Sequence, residues 1–185
     1  MCGIIGYLGD DNTYNFIIEG LKELQNRGYD SAGLCLYNNE FYIHKFISDT
    51  ESAISKMEKN NRYEKCDIGI GHTRWATHGG INILNCHPHI SNDKEICVIH
   101  NGIIENYKEI KDFLIVNGYS FYSDTDTEVI CNLISYYHKN NNNNILLAIK
   151  KTVNIMTGTW GLIILYKGDK RMYFTRKGSP ILLGI

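Results

Sequence analysis

The sequence predicts an α+β domain in which helices and sheets form separate layers. Strand-like segments bracket paired helices along the chain instead of alternating with them one by one, which argues against a doubly wound sheet. The chain also has the means to build a sizeable core, since 43% of its 185 residues are hydrophobic and 21% charged, the ordinary globular range. There is no internal repeat and no linker, so the length fits one domain, or one and a fraction.

The elements follow from local periodicity. Cys2 to Leu8 reads as a short strand with glycines at Gly3, Gly6 and Gly9, where backbones can approach closely. Tyr14, Ile17, Ile18, Leu21 and Leu24 recur at helical spacing and predict a helix from Thr13 to Asn26. Ser31 to Tyr37 and Glu40 to Ile47 read as strands turning at Asn38-Asn39. A weaker helix covers Asp49 to Lys59. Cys66 to Arg74 and Glu95 to His100 are strand-like, with a long polar, Gly- and His-rich loop between them. Asn106 is placed to cap a helix that runs through Val116 and stops at Asn117-Gly118. Thr125 to Glu128 has the capping-box pattern and opens a helix to Lys139. Asn140 to Asn144 is a low-complexity connection. A helix over Ile145 to Met156 and strands over Thr159 to Lys167 and Arg171 to Arg176 complete the chain.

Charge and composition exclude several classes. The formal net charge is -1 and the basic residues are scattered, so no nucleic-acid footprint is present. No apolar run approaches the roughly 18 residues of a membrane span, and the N-terminus has no secretory signal pattern. Six cysteines, widely spaced and without a CxxC pair, read as reduced thiols in a cytoplasmic setting. Most of them are expected to be small core residues. Cys2 stands apart because of its position.

A cysteine directly after the initiator methionine becomes the first residue once Met1 is trimmed. It then carries a thiol beside a free α-amine whose ordinary pKa is about 7.7–8.0, so part of the amine is neutral near pH 7 and able to act as base for the thiol. Alone, Cys2 reads more readily as a core cysteine at a strand start. Other segments add chemistry. The loop His72 to Gly80 sets a guanidinium (Arg74), an indole (Trp75), a hydroxyl (Thr77) and an imidazole (His78) side by side at a strand end. Arg74 offers the planar fork that suits a carboxylate. In His100-Asn101-Gly102, the Asn amide and the Gly N–H could donate to one developing oxyanion, although Asn-Gly is also a common turn. Asp126 could hold an ammonium, or simply complement a helix dipole in a first turn. His87-Pro88-His89 with His72, His78 and His100 raises a zinc alternative, but their spacing matches no familiar zinc pattern. We therefore expect neither a metal nor another cofactor.

Taken in order, Met1-Cys2-Gly3-Ile4-Ile5-Gly6, Asn26 to Gly33, His72 to Gly79, His100 to Asn106 and Ser123 to Glu128 closely resemble the class II glutamine amidotransferases. Within that class, the RGYDSAG and HTRWATHG segments resemble the glutaminase domain of the glutamine–fructose-6-phosphate aminotransferases. The resemblance covers nearly the whole chain. It implies a four-layer αββα sandwich of the N-terminal-nucleophile type and hydrolysis of the glutamine side-chain amide through a Cys2 thioester, releasing glutamate and ammonia. By the same resemblance Asn101 and Gly102 form the oxyanion hole, Arg74 holds the α-carboxylate of glutamine and Asp126 its α-ammonium. Trp75, Thr77 and His78 belong to the closing loop, and Arg27 supports the site.

The chain departs from the family pattern in lacking a proline soon after Gly79-Gly80-Ile81 and in carrying two extra residues before His100. Residues 2–185 are expected to form a C-terminally incomplete amidotransferase domain without the sugar-isomerase domains that follow it in the family. Those domains, or an equivalent ammonia acceptor, are the expected partner besides glutamine, and full-length family members are expected to be homo-oligomers. Fructose 6-phosphate is the expected destination of the ammonia, giving glucosamine 6-phosphate. A freestanding glutaminase with another acceptor and a catalytically silent regulatory domain are the alternatives.

Overall fold

The computed structural model describes residues 2–9, 12–60, 65–76 and 79–184. The chain runs through β1 (Gly3–Leu8), α1 (Thr13–Leu24), β2 (Ser31–Asn38), β3 (Glu40–Ile47), α2 (Ala53–Lys59) and β4 (Ile68–Arg74). It continues with β5 (His89–Ile90), β6 (Ile96–Ile104), α3 (Tyr107–Val116), α4 (Glu128–Lys139), α5 (Ile145–Ile155), β7 (Gly158–Tyr166) and β8 (Met172–Lys177). Among the described residues the strands form two antiparallel sheets, in the orders β1-β4-β2-β3 and β5-β6-β7-β8.

Strand alternation dictates the layering. Along β2, Ala32, Leu34 and Leu36 pack with α1 and α2, while Cys35 and Tyr37 point the opposite way. Along β6, Ile96 and Val98 pack with α3, α4 and α5, while Cys97 and Ile99 meet Cys35, Ile68 and Ile70 of the first sheet. β7 repeats the pattern, with Leu162 and Ile164 towards the helices and Ile163 and Leu165 between the sheets. Three apolar layers therefore separate helix from sheet, sheet from sheet, and sheet from helix, which is the αββα sandwich. These strands are apolar on both faces because both faces are covered.

On the first sheet α1 lies close against β4. A Cβ at Gly71 would sit 2.7 Å from Ile17 Cγ2 and 3.2 Å from Leu21 Cδ2, so the two buried helix side chains occupy the space a larger residue would need. The helix starts obey different local rules. Ser52 Oγ accepts from Ser55 N at 3.1 Å, so α2 begins at Ala53, later than the expected Asp49. Asn144 Oδ1 caps α5 by accepting from Leu147 N at 3.0 Å. Asn106 does not cap α3 with its side chain. Its amide instead donates to Ile155 O (2.9 Å) and accepts from Thr157 N (2.9 Å), tying the start of α3 to the end of α5.

Candidate functional site

Register brings the site together. In the β1–β4 pair Gly3 lies opposite Thr73, so Cys2 arrives at the end of the strand beside Arg74 and Trp75. Trp75 N–H donates to Cys2 Sγ at 3.3 Å, and the thiol lies 3.6 Å from Trp75 O. Burial raises the thiol pKa above its ordinary value, and the Trp75 N–H offsets only part of the shift. At neutral pH the sulfur is therefore held as the thiol, and attack by it requires a base. Cys2 is half-buried, while the other five cysteines are buried and all six are free.

The indole of Trp75 is 47% exposed and meets Tyr29 edge-on, with ring centroids 5.3 Å apart. Arg74 is buried, in contrast to an ordinary loop arginine. Its guanidinium donates to Gly80 O (3.3 Å) and Gly79 O (3.4 Å) and lies 3.8 Å from Asp30 Oδ1. Asp30, itself buried, accepts from Ser31 Oγ at 2.8 Å and from the backbone N–H of Ala76. Its carboxylate thus fixes both the arginine and the start of the 75–80 loop. Thr77 and His78 lie outside the described residues.

The second sheet supplies the opposite wall. The expected strand end at His100 is corrected: β6 continues to Ile104, with Asn101 opposite Gly161 and Gly102 opposite Trp160. Asn101-Gly102 is therefore a segment of strand and not a turn. Gly102 has φ +147°, and a Cβ there would fall 2.1 Å from Thr159 O, so only glycine fits. Asn101 O accepts from Ser179 Oγ at 3.3 Å.

Asp126 precedes α4, which starts at Glu128, so it is not a first-turn carboxylate as expected. Its Oδ2 accepts from Ile104 N at 2.7 Å, and the residue is 6% exposed. The expected capping box is also rearranged. Thr127 is the N-cap and makes no side-chain cap bond. The Glu128 carboxylate instead accepts from Tyr122 N (3.1 Å), Ser123 N (2.7 Å) and Ser123 Oγ (2.7 Å), clamping the 122–127 segment onto the helix.

Buried histidines back this wall. His72 and His87 stack with centroids 3.9 Å apart, and His72 Nε2 lies 3.0 Å from His100 O, bridging the two sheets. Thr127 Oγ1 is 3.0 Å from His100 Nδ1, and Thr125 Oγ1 is 3.1 Å from His89 Nε2. Burial lowers the pKa of His72, to about 3, and lowers those of His87, His89 and His100 as well. These imidazoles are neutral spacers at physiological pH. Among the described residues no group of three or more His, Cys, Asp or Glu has the geometry to hold a metal ion.

Cys2 lies where two cavities meet. A narrow cleft of about 30 Å³ is lined by Cys2, Arg74, Trp75, Gly102 and Asp126, with His87 and His100 behind. A larger apolar cavity of about 370 Å³ is lined by Cys2, Arg27, Asn101, Leu24, Ile163 and Met172, among others. The expected residues are thus divided: Arg74, Gly102 and Asp126 converge on one side of the thiol, Arg27 and Asn101 on the other. Asp30, Asn85 and Glu128 adjoin the candidate site without having been expected there, and the histidines weighed as zinc ligands pack as its buried backing. The Asp in RGYDSAG was quotable as a motif, but nothing local indicated that it would reach Arg74.

Comparison with known proteins identifies the family and the fold. A family profile described as a glutamine amidotransferase domain matches residues 83–180. The chain is 44% identical over 187 aligned residues to a glutamine–fructose-6-phosphate aminotransferase (isomerizing) of Caldanaerobacter subterraneus, covering 100% of this chain and 30% of that protein. It is 42% identical over 191 residues to the enzyme of the same name from Methanococcus maripaludis, covering 100% of this chain and 31% of that one. The chain therefore spans about 30% of the length of the curated relatives it matches. The fold matches the glutamine phosphoribosylpyrophosphate amidotransferase of B. subtilis, with a TM-score of 0.78 at 24% identity over 95% of this chain and 37% of that one. The chain belongs to the glutamine amidotransferase domain family.

Proposed function

We propose that the domain hydrolyses the side-chain amide of glutamine, with Cys2 as nucleophile after removal of Met1. The observation that carries this reading is a cation and an anion, Arg74 and Asp126, lining one cleft with the Cys2 thiol. Free glutamine presents a carboxylate, an ammonium and an amide in one short molecule, and the cleft offers a complement to each. Arg74 takes the carboxylate through its planar fork and Asp126 the ammonium.

The chemistry then runs through the chain's own groups. The α-amine of Cys2 takes the thiol proton, since an ordinary thiol is mostly protonated at neutral pH. The sulfur, where the two cavities meet, attacks the amide carbon, and the oxygen gains negative charge, stabilised by the Gly102 N–H from the cleft and by the Asn101 amide from the opposite side. The carbon–nitrogen bond breaks, ammonia leaves with the proton, and water hydrolyses the glutamyl thioester to glutamate. Arg27 and the closing loop of Trp75, Thr77 and His78 support the bound amino acid.

In the longer protein to which the similarity points, the ammonia goes to a sugar-isomerase partner that aminates fructose 6-phosphate. That acceptor is inferred from the names of the relatives. A cytoplasmic setting belongs to the proposal, supported by six free cysteines and by the absence, among the described residues, of any helix long and apolar enough to cross a membrane.

The test is release of glutamate and ammonia from glutamine by the chain freed of Met1. Cys2→Ala is expected to abolish turnover while leaving glutamine binding detectable by calorimetry. Substantial turnover by that variant would remove Cys2 as nucleophile.

A further inference from the structure

The two groups proposed to grip glutamine come from different parts of the chain, Arg74 from the end of β4 and Asp126 from the segment before α4. A single side chain joins their supports. Asn85 ends a short 3-10 turn, Ile83–Asn85, held by Asn82, whose Oδ1 accepts from Asn85 N at 2.9 Å. It is an amide with no exposed surface.

All of its side-chain hydrogen bonds cross the site. Asn85 Nδ2 donates to Gly80 O at 2.9 Å, the same carbonyl that accepts from Arg74 Nη1 at 3.3 Å. The same nitrogen lies 3.2 Å from Asp124 Oδ2, and Asn85 Oδ1 accepts from Asp124 N at 2.9 Å. Asp124 is two residues before Asp126. A fully buried amide that spends both donor and acceptor on the two supports of one site holds them at a set separation, because leaving either bond unmade in the interior is costly.

We propose that Asn85 is a positioning residue for amino-acid recognition. It sets the distance between the carboxylate-binding arm, through Gly80 and Arg74, and the ammonium-binding arm, through Asp124 and Asp126. It touches neither the thiol nor the substrate. The proposal rests on the glutaminase reading and adds to it a determinant of specificity for ligands that carry both α groups.

The consequence is a split between two reagents at one sulfur. An electrophilic diazoketone analogue of glutamine, bearing both α groups, needs the two arms in register to reach Cys2. Iodoacetamide, which has neither group, needs only the thiol. Asn85→Asp keeps the acceptor for Asp124 N but loses the donor to Gly80 and sets two carboxylates against each other. It is expected to slow the analogue by about tenfold or more, with iodoacetamide slowed less than about twofold. The glutamine KM should rise with kcat nearly unchanged. Asp124→Ala, at an exposed position that tolerates truncation, removes one of the three bonds and is expected to slow the analogue by about threefold. Asn85→Asp combined with Asp124→Asn restores the pairing with residue 124, donor and acceptor exchanged, but not the bond to Gly80 O, and should recover the analogue's rate only in part.

Equal loss with both reagents, or no loss with the analogue in either single variant, would overturn the proposal. A native chain that fails to react with the analogue, or reacts without protection by glutamine, would overturn the glutaminase reading on which it stands.

Discussion

At the scale of single residues, environment turns ordinary side chains into a recognition set. Asp126 illustrates the point. Were it a first-turn carboxylate, its role would be to complement the helix dipole. It instead sits before α4 and accepts from Ile104 N of β6 at 2.7 Å, so one oxygen is fixed by the neighbouring sheet while the carboxylate lines the cleft. Asp126→Asn keeps an acceptor for Ile104 N and removes the charge. The glutamine KM is expected to rise by about 10- to 100-fold with little change in kcat, the cost of one hydrogen bond to a charged group. Steady-state kinetics checks this, and an unchanged KM would reduce Asp126 to a structural tie between β6 and α4.

At the scale of elements, periodic signals were legible and long-range pairings were not. The alternation in Ser31 to Tyr37 and the 3.6-residue spacing in Thr13 to Asn26 predict β2 and α1 to within two or three residues, because each element's apolar pattern reports the surface that covers it. The Asn38-Asn39 turn also holds, with Asn39 at φ 61° between β2 and β3. Three features escaped. The strand β6 passes through Asn101-Gly102, a pair that signals a turn locally, because pairing with β7 supplies a ladder that the local sequence does not announce. The two-residue strand β5 is too short to show a period. The 79–90 segment reads as a polar loop, yet Asn85, His87 and His89 are buried in it, since their polar atoms find partners on the 124–127 segment and β6. The site was legible where it coincided with motifs (Cys2, Arg74, Gly102 and Asp126) and illegible where it depended on Asp30, Asn85 and Glu128 reaching across the fold.

At the scale of the whole molecule, the sandwich is held by three apolar layers and stitched between its sheets by neutral imidazoles. That arrangement carries a pH dependence. His72 in the folded chain is held near 3 against an ordinary 6.5, and burial lowers His87, His89 and His100 too. Below about pH 6.5 the unfolded chain therefore binds protons that the folded chain refuses. The stability these residues allow is present above that pH and lost as pH falls towards their folded values, by up to about 1.4 kcal/mol per pH unit for each histidine so held. Asp93, held near 2 in the fold, contributes only below its ordinary 3.8 and so stays outside the window. The melting temperature is expected to fall by roughly 5 °C or more between pH 7 and pH 5. Calorimetry or circular dichroism reads it, and a flat profile would mean that the histidines are solvated or protonated in the fold.

On this reading the chain presents Cys2 at its N-terminus within a formed glutamine site. Intact mass before and after exposure to the electrophilic glutamine analogue tests both halves at once. The expected product is a chain lighter by one methionine that gains a single adduct, with excess glutamine blocking the gain. A chain that keeps Met1, or a trimmed chain that takes no adduct, would contradict it.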